Sequence, residues 1–203
     1  KSKFHKYSAY RSMSNLTGAQ AAERILHRAG IYDVSIRHIR GSLTDHYDPR
    51  NKTLSLSDSV YGQTSVAAIG VAAHECGHAI QHHAPLSIRG AIVPVANFGS
   101  ALAWPLILIG VLFSSNTGSF LIHLGIFLFS FAVLFQLITL PVELNASNRA
   151  IKILGDTGIL NAQELPMTRK VLGAAALTYV AGAAAAILQL LRLLILFGGR
   201  NDD

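Results

Sequence analysis

The sequence predicts a mainly α-helical membrane protein, with about three transmembrane helices joined to a small α+β cytoplasmic domain that carries a short edge sheet. Three observations carry that expectation. Only 14% of the 203 residues are charged and 51% are hydrophobic, against about 25% charged in an ordinary soluble domain. Most of the charge is gathered in residues 1–89 and 141–170. Between and after these segments lie three long apolar runs.

The net charge of +6 would point to nucleic acid in a soluble protein. In a membrane chain a basic excess marks cytoplasmic loops instead, so no nucleic-acid partner is expected. A single cysteine excludes an intrachain disulfide framework and fits a reducing compartment. The chain opens KSKFHKYS without a methionine, which leaves room for an upstream membrane segment.

The elements follow in order. Gly18 to Ala29 spaces its apolar residues as a helix does, with Thr17 as N-cap and Gly30 as its stop. Val34 to Ile39 alternates apolar and polar, as a half-buried strand would. Thr53 to Ser57 (TLSLS) alternates too, after a turn over Asp48-Pro49-Arg50-Asn51. Ser65 to His82 is rich in Ala, Val and Ile without proline, and reads as one helix. Ile92 to Phe113 and Phe120 to Leu140 contain no Lys, Arg, Asp or Glu. Each exceeds the ~20 residues a helix needs to cross a bilayer, and Pro94 and Pro105 are expected to kink the first. Ser114 to Ser119 (SSNTGS) separates them as a polar turn. Val171 to Phe197 is the third run, interrupted by Gln189 and Arg192, with Ala and Gly in the middle that suit close helix packing.

The division expected is therefore 1–89 cytoplasmic, 90–140 a transmembrane hairpin, 141–170 cytoplasmic, and 171–203 a third transmembrane helix with its tail. Lys and Arg number eleven in 1–89, four in 141–170 and none in the SSNTGS turn. Positive-inside then places both charged segments in the cytoplasm and the turn outside.

The chemistry is concentrated in AAHECGHAIQHH, residues 72–83. His74, Glu75 and His78 form H-E-x-x-H. On a helix, residues four apart share a face one turn apart, so both imidazoles reach one metal ion. Zinc takes such ligands and leaves a position for water, whose pKa it lowers, and Glu75 is placed to take the proton as general base. His82 continues the stripe, but ~12 Å of helix rise separates it from His74, too far for one ion. His82 and His83 read as helix-end residues, and Cys76 as a packing residue on the other face. A third ligand must come from elsewhere on the same side of the membrane. Glu143 in VELNASNRA suits that place, just after the second apolar run, and Asp156 in LGDTG is its rival.

HECGH followed at a distance by E-x-x-A-S-x-R-A resembles the gluzincin metallopeptidases of the HtpX and prenyl-protease type. TDHYDPRNKTLSLSDSVYG, VAAHECGHAIQH and VELNASNRA together resemble more closely the bacterial membrane neutral zinc metallopeptidases, the YugP-like family. The resemblance runs from about Lys6 to the third apolar run. It implies a zincin-like cytoplasmic domain, one Zn2+ per chain held by His74, His78 and Glu143, and Glu75 as catalytic base. Ser147 stands where the wider group has an Asp that supports a ligand histidine, and Ser147, Asn148 or Asn145 would have to replace it. By the same likeness TLSLS would be the edge strand that pairs with an extended substrate. The candidates for stabilising the oxyanion are His46, Tyr47, Tyr179 and Arg149.

The function expected is an integral zinc endopeptidase of the bacterial plasma (inner) membrane. Its site would face the cytoplasm and act on membrane or juxtamembrane protein substrates, with a membrane-protein partner or a second copy of the chain as further companions. Two alternatives stand beside it: an intramembrane protease of the site-2 type, which would use Asp156, and a non-catalytic zinc-containing scaffold subunit.

Overall fold

The computed structural model describes residues 2–83, 89–113 and 116–198, and of 89–100 the backbone alone. It is mostly helical, with two long apolar helices and a small three-stranded sheet. In chain order the elements are α1 (Ser2–Ser8), α2 (Gly18–Arg28), β1 (Ser35–Ile39), β2 (His46–Asp48), β3 (Thr53–Ser57), α3 (Val66–His83), α4 (Arg89–Leu112), α5 (Asn116–Asp156) and α6 (Leu165–Phe197). Contacts divide the chain into two units. Unit 1 is Lys1–Ser87 with Val142–Leu177, and unit 2 is Ile88–Pro141 with Thr178–Asp203.

In unit 1, α2 is closed by its local sequence at both ends. Thr17 Oγ1 accepts from the Gln20 N–H at 3.2 Å and Gln20 Oε1 accepts from the Thr17 N–H at 3.0 Å, a reciprocal capping box. At the other end Gly30 takes a φ of +74°, a left-handed residue that stops the helix without a Cβ penalty. The buried face of α2 (Ala21, Ala22, Ile25, Leu26) packs with Ile69, Ala72, Ala73 and Cys76 of α3 in one core.

Helix α3 is the centre of this unit, with twelve of its eighteen residues buried. Its small residues let neighbouring backbones come close. A Cβ on Gly70 would lie 2.7 Å from Thr168 Cγ2 on α6, and one on Gly77 would lie 2.8 Å from the carbonyl oxygen of Ala146 on α5. Glu164 ties two loops together, accepting from the Met13 N–H at 2.8 Å and from the Asn161 N–H at 2.9 Å. Val171 and Leu172, at the start of the third apolar run, are buried in unit 1.

The sheet has the order β1-β3-β2, with β3 parallel to β1 and antiparallel to β2. The expectation that Thr53–Ser57 forms an edge is therefore corrected: β3 is the middle strand, hydrogen-bonded on both sides, and all five of its residues are buried. Alternation of Leu with Ser and Thr suggested one wet face. Instead the small hydroxyls are buried, and those of Thr53 and Ser57 are partnered. Ser57 gives its N–H and its hydroxyl to the Asp45 carboxylate at 2.7 and 2.9 Å, and Thr53 Oγ1 donates to the Asn51 carbonyl at 3.1 Å. A buried hydroxyl with a partner carries little of the cost an orphan would.

In unit 2, Ile107 of α4, Ile122 and Ile126 of α5 and Leu193 of α6 form a core. Gly125 comes so close to α4 that a Cβ there would sit 2.9 Å from the Ala103 carbonyl oxygen. Much of the remaining apolar surface faces outward, including Leu108, Phe120, Phe127, Leu134, Leu188 and Ile195. Asn116 to Ser119, expected in a turn, already form the first turn of α5. Ser114, Ser115 and the side chain of Pro94 lie outside the described residues.

Candidate metal centre

The site is built on α3 and on the part of α5 from Val142 onward, both in unit 1. On α3, His74 and His78 stand one turn apart with ring centroids 4.7 Å from each other and planes at 82°. On α5, the positions Glu143, Ala146, Ser147 and Ala150 are buried at helical spacing. The close approach at Gly77 and Ala146 sets this face of α5 against α3. Glu143 lies one turn before that contact, and its carboxylate meets the two imidazoles.

Three donor atoms converge. His74 Nε2 and His78 Nε2 are 3.2 Å apart. Glu143 Oε2 is 3.2 Å from the first and 3.3 Å from the second. A zinc ion at ~2.0–2.1 Å from each ligand in tetrahedral geometry would need donor separations of about 3.3 Å. The triangle matches that edge length, and two imidazoles with one carboxylate are a donor set zinc accepts. The three side chains have only 13%, 6% and 4% of their surface exposed. Buried donors facing one point suit a cation between them, and the three residues fit a metal ion on that ground.

Glu75 is buried beside this triangle. Burial pushes its carboxyl above the ordinary range, His74 and His78 pull it back, and Glu143 and Asp45 raise it further. Burial is the largest of these effects, and the neighbouring charges modify it.

The other residues singled out from the sequence separate into distinct positions. His82 Nδ1 lies 3.0 Å from the Tyr47 hydroxyl on β2, and His83 Nε2 lies 3.0 Å from Asp33 Oδ1. Neither belongs to the triangle. Cys76 is buried against α2, its Sγ 3.6 Å from the Ala22 carbonyl, and burial with Glu75 nearby pushes its thiol well up. Asp156 ends α5 and is not with the imidazoles, where the carboxylate is that of Glu143. His46 Nδ1 bonds the Thr44 carbonyl at 3.0 Å, Arg149 Nε donates to Asn145 Oδ1 at 2.7 Å, and Tyr179 falls in unit 2. Ser147, one of the residues expected to replace a supporting Asp, has its Oγ 3.1 Å from His74 Nδ1. Sequence reasoning passed over Gln81, whose Oε1 is 3.1 Å from His78 Nδ1. Its position three residues after His78 was the available signal, since such pairs are neighbours on a helix.

Two imidazoles and a carboxylate closing on one point, with a buried glutamate at their side, form a group able to hold a metal ion. The chain belongs to a zinc peptidase family: the profile described as "Putative neutral zinc metallopeptidase" matches residues 1–198. It is also 49% identical, over 207 positions covering 100% of this chain and 91% of the relative, to the "Putative membrane protease YugP" of Bacillus subtilis (strain 168). No solved structure matches it.

Proposed function

We propose that this chain is an integral membrane zinc endopeptidase of gluzincin type. The observation that carries the reading is the triangle of His74 Nε2, His78 Nε2 and Glu143 Oε2 with Glu75 buried beside it. His74, His78 and Glu143 would hold one zinc ion. When bound, that ion supplies a Lewis acid for a carbonyl oxygen and acidifies water at the same point. Glu75 takes the proton of the attacking water and delivers it to the leaving amine nitrogen. Burial keeps competing water from its carboxylate.

The membrane reading is supported by the two apolar helices Asn116–Asp156 and Leu165–Phe197, of whose most apolar windows only 22% and 11% are buried within the protein. The core helix of a soluble protein would be mostly covered. Lipid is the solvent that suits such outward apolar surface. Arg192, exposed five residues before the end of α6, would reach the interface by snorkelling. The charge bias favours unit 1 on the cytoplasmic side of the plasma membrane, where segments flanking membrane spans would be the substrates in reach. With β3 covered, β2 is the open strand beside α3, joined to it through Tyr47 and His82, and would offer its backbone to an extended substrate. Glu143 at the imidazoles, rather than Asp156, favours this reading over an intramembrane site.

Glu75→Gln tests the proposal. Peptidase activity on a membrane-protein substrate in proteoliposomes should fall by about 10²–10⁴-fold, the span a general base contributes, while zinc content stays at that of the wild type. Full activity in the variant would sink the catalytic assignment. Absence of activity in both proteins, with zinc bound, would favour the scaffold reading.

A further inference from the structure

The two histidines of the centre are held from behind by different chemistry. Ser147 Oγ at His74 Nδ1 is a hydroxyl, able to donate or accept, and so leaves the ring's proton undetermined. The groups behind His78 allow only one arrangement. Arg149 Nε carries a hydrogen and no lone pair for acceptance, so the Asn145 atom 2.7 Å away must be its oxygen. The Gln81 atom 3.1 Å from that oxygen must then be a donor, its amide nitrogen. The same nitrogen lies 3.0 Å from the carbonyl oxygen of Val142, which can only accept. Both observations turn the Gln81 amide the same way. Its oxygen is left facing His78 Nδ1 at 3.1 Å, and an amide oxygen accepts only. His78 Nδ1 therefore carries the hydrogen, and the lone pair of the neutral ring is on Nε2, the atom that faces His74 and Glu143.

We propose that Gln81 is the positioning residue of this centre, held by Val142 and by the Asn145–Arg149 pair, and that it fixes His78 in the Nδ1–H tautomer with Nε2 aimed at the metal. The inference rests on the metal-centre reading above and deepens it. It assigns to a carboxamide the task that a carboxylate performs behind many ligand histidines. It also gives VELNASNRA two tasks: Glu143 faces the imidazoles, while Asn145 and Arg149 set the amide that orients one of them. Gln81 touches no reacting atom and acts through His78 alone.

The test compares wild type, Gln81→Leu and Gln81→Glu, each purified in detergent with histidine labelled by nitrogen-15. Zinc affinity is measured by chelator competition, ring-nitrogen shifts are read on metal-free protein at alkaline pH, and melting of the metal-free protein monitors the fold. Gln81→Leu should bind zinc about 10–100-fold more weakly, show His78 as a mixture of tautomers, and melt with the wild type. Gln81→Glu retains an acceptor for Nδ1–H but loses the N–H donated to Val142 and Asn145, and should recover the tautomer and part of the affinity. Wild-type affinity and tautomer in Gln81→Leu would overturn the inference. So would a loss of affinity that follows a lowered melting point and is not recovered by Gln81→Glu. Wild-type protein that takes up no zinc would overturn the metal-centre reading, and the nitrogen shifts would still decide whether Gln81 sets the tautomer.

Discussion

At the scale of single residues, the roles at the centre can be separated by zinc content alone. Elemental analysis of purified protein should find about one zinc per chain in the wild type and in Asp156→Ala, and little in Glu143→Ala, because Glu143 stands with the imidazoles and Asp156 does not. The reverse result would transfer the site to Asp156. Glu75 gives a pH signature. Its folded-state pKa is raised, chiefly by burial. The stability it contributes is then fully present below the ordinary carboxylate range and is lost as pH rises through the raised folded value. In metal-stripped protein, denaturation followed across that window should show the wild type losing more stability than Glu75→Gln, which has no proton to release. Parallel curves for the two proteins would contradict the burial of an ionisable group there.

At the scale of elements, the site depends on how closely α3 approaches α5. Gly77→Ala would place a methyl group 2.8 Å from the Ala146 carbonyl, a backbone atom that cannot rotate away. The helices must part, at a cost of about 1–3 kcal/mol, and Glu143 moves with α5. Zinc affinity should fall together with the melting temperature. Gly70→Ala is the matched comparison, since its methyl would meet Thr168 Cγ2 on α6 instead, at 2.7 Å. It should lower the melting temperature but leave zinc affinity near that of the wild type. Equal zinc affinity in all three proteins would show that the Gly77 contact does not set the triangle. Helix α2 was legible because it carries its signals locally, in Thr17, Gln20 and Gly30. The strand Thr53–Ser57 was legible as a strand and not as a central one, because alternation reports side-chain type and cannot say which neighbour covers each face.

At the scale of the whole molecule, the sole cysteine makes topology testable in an otherwise native chain. Cys76 is buried with its thiol pushed up, so it should react slowly with maleimides and give low background. In intact cells, Asn116→Cys should be labelled by a membrane-impermeant maleimide, and Lys3→Cys only after permeabilisation. Labelling of both, or of Lys3→Cys alone, would contradict the proposed orientation.

The sequence by itself determined what each segment is able to be. Its apolar runs, its capped helix and its H-E-x-x-H spacing follow from local composition and from the 3.6-residue period, which neighbours in sequence already express. It singled out Glu143 and could not exclude Asp156, since both lie far along the chain from His78 and nothing local measures distance across a fold. Tertiary structure brought Glu143 to the imidazoles through the contact of Gly77 with Ala146. It also buried the Ser face of β3 and turned Gln81 toward His78 through partners 61 to 64 residues away. Those decisions belong to packing, because a donor or a ligand acquires its role only from the atoms that other parts of the chain set against it.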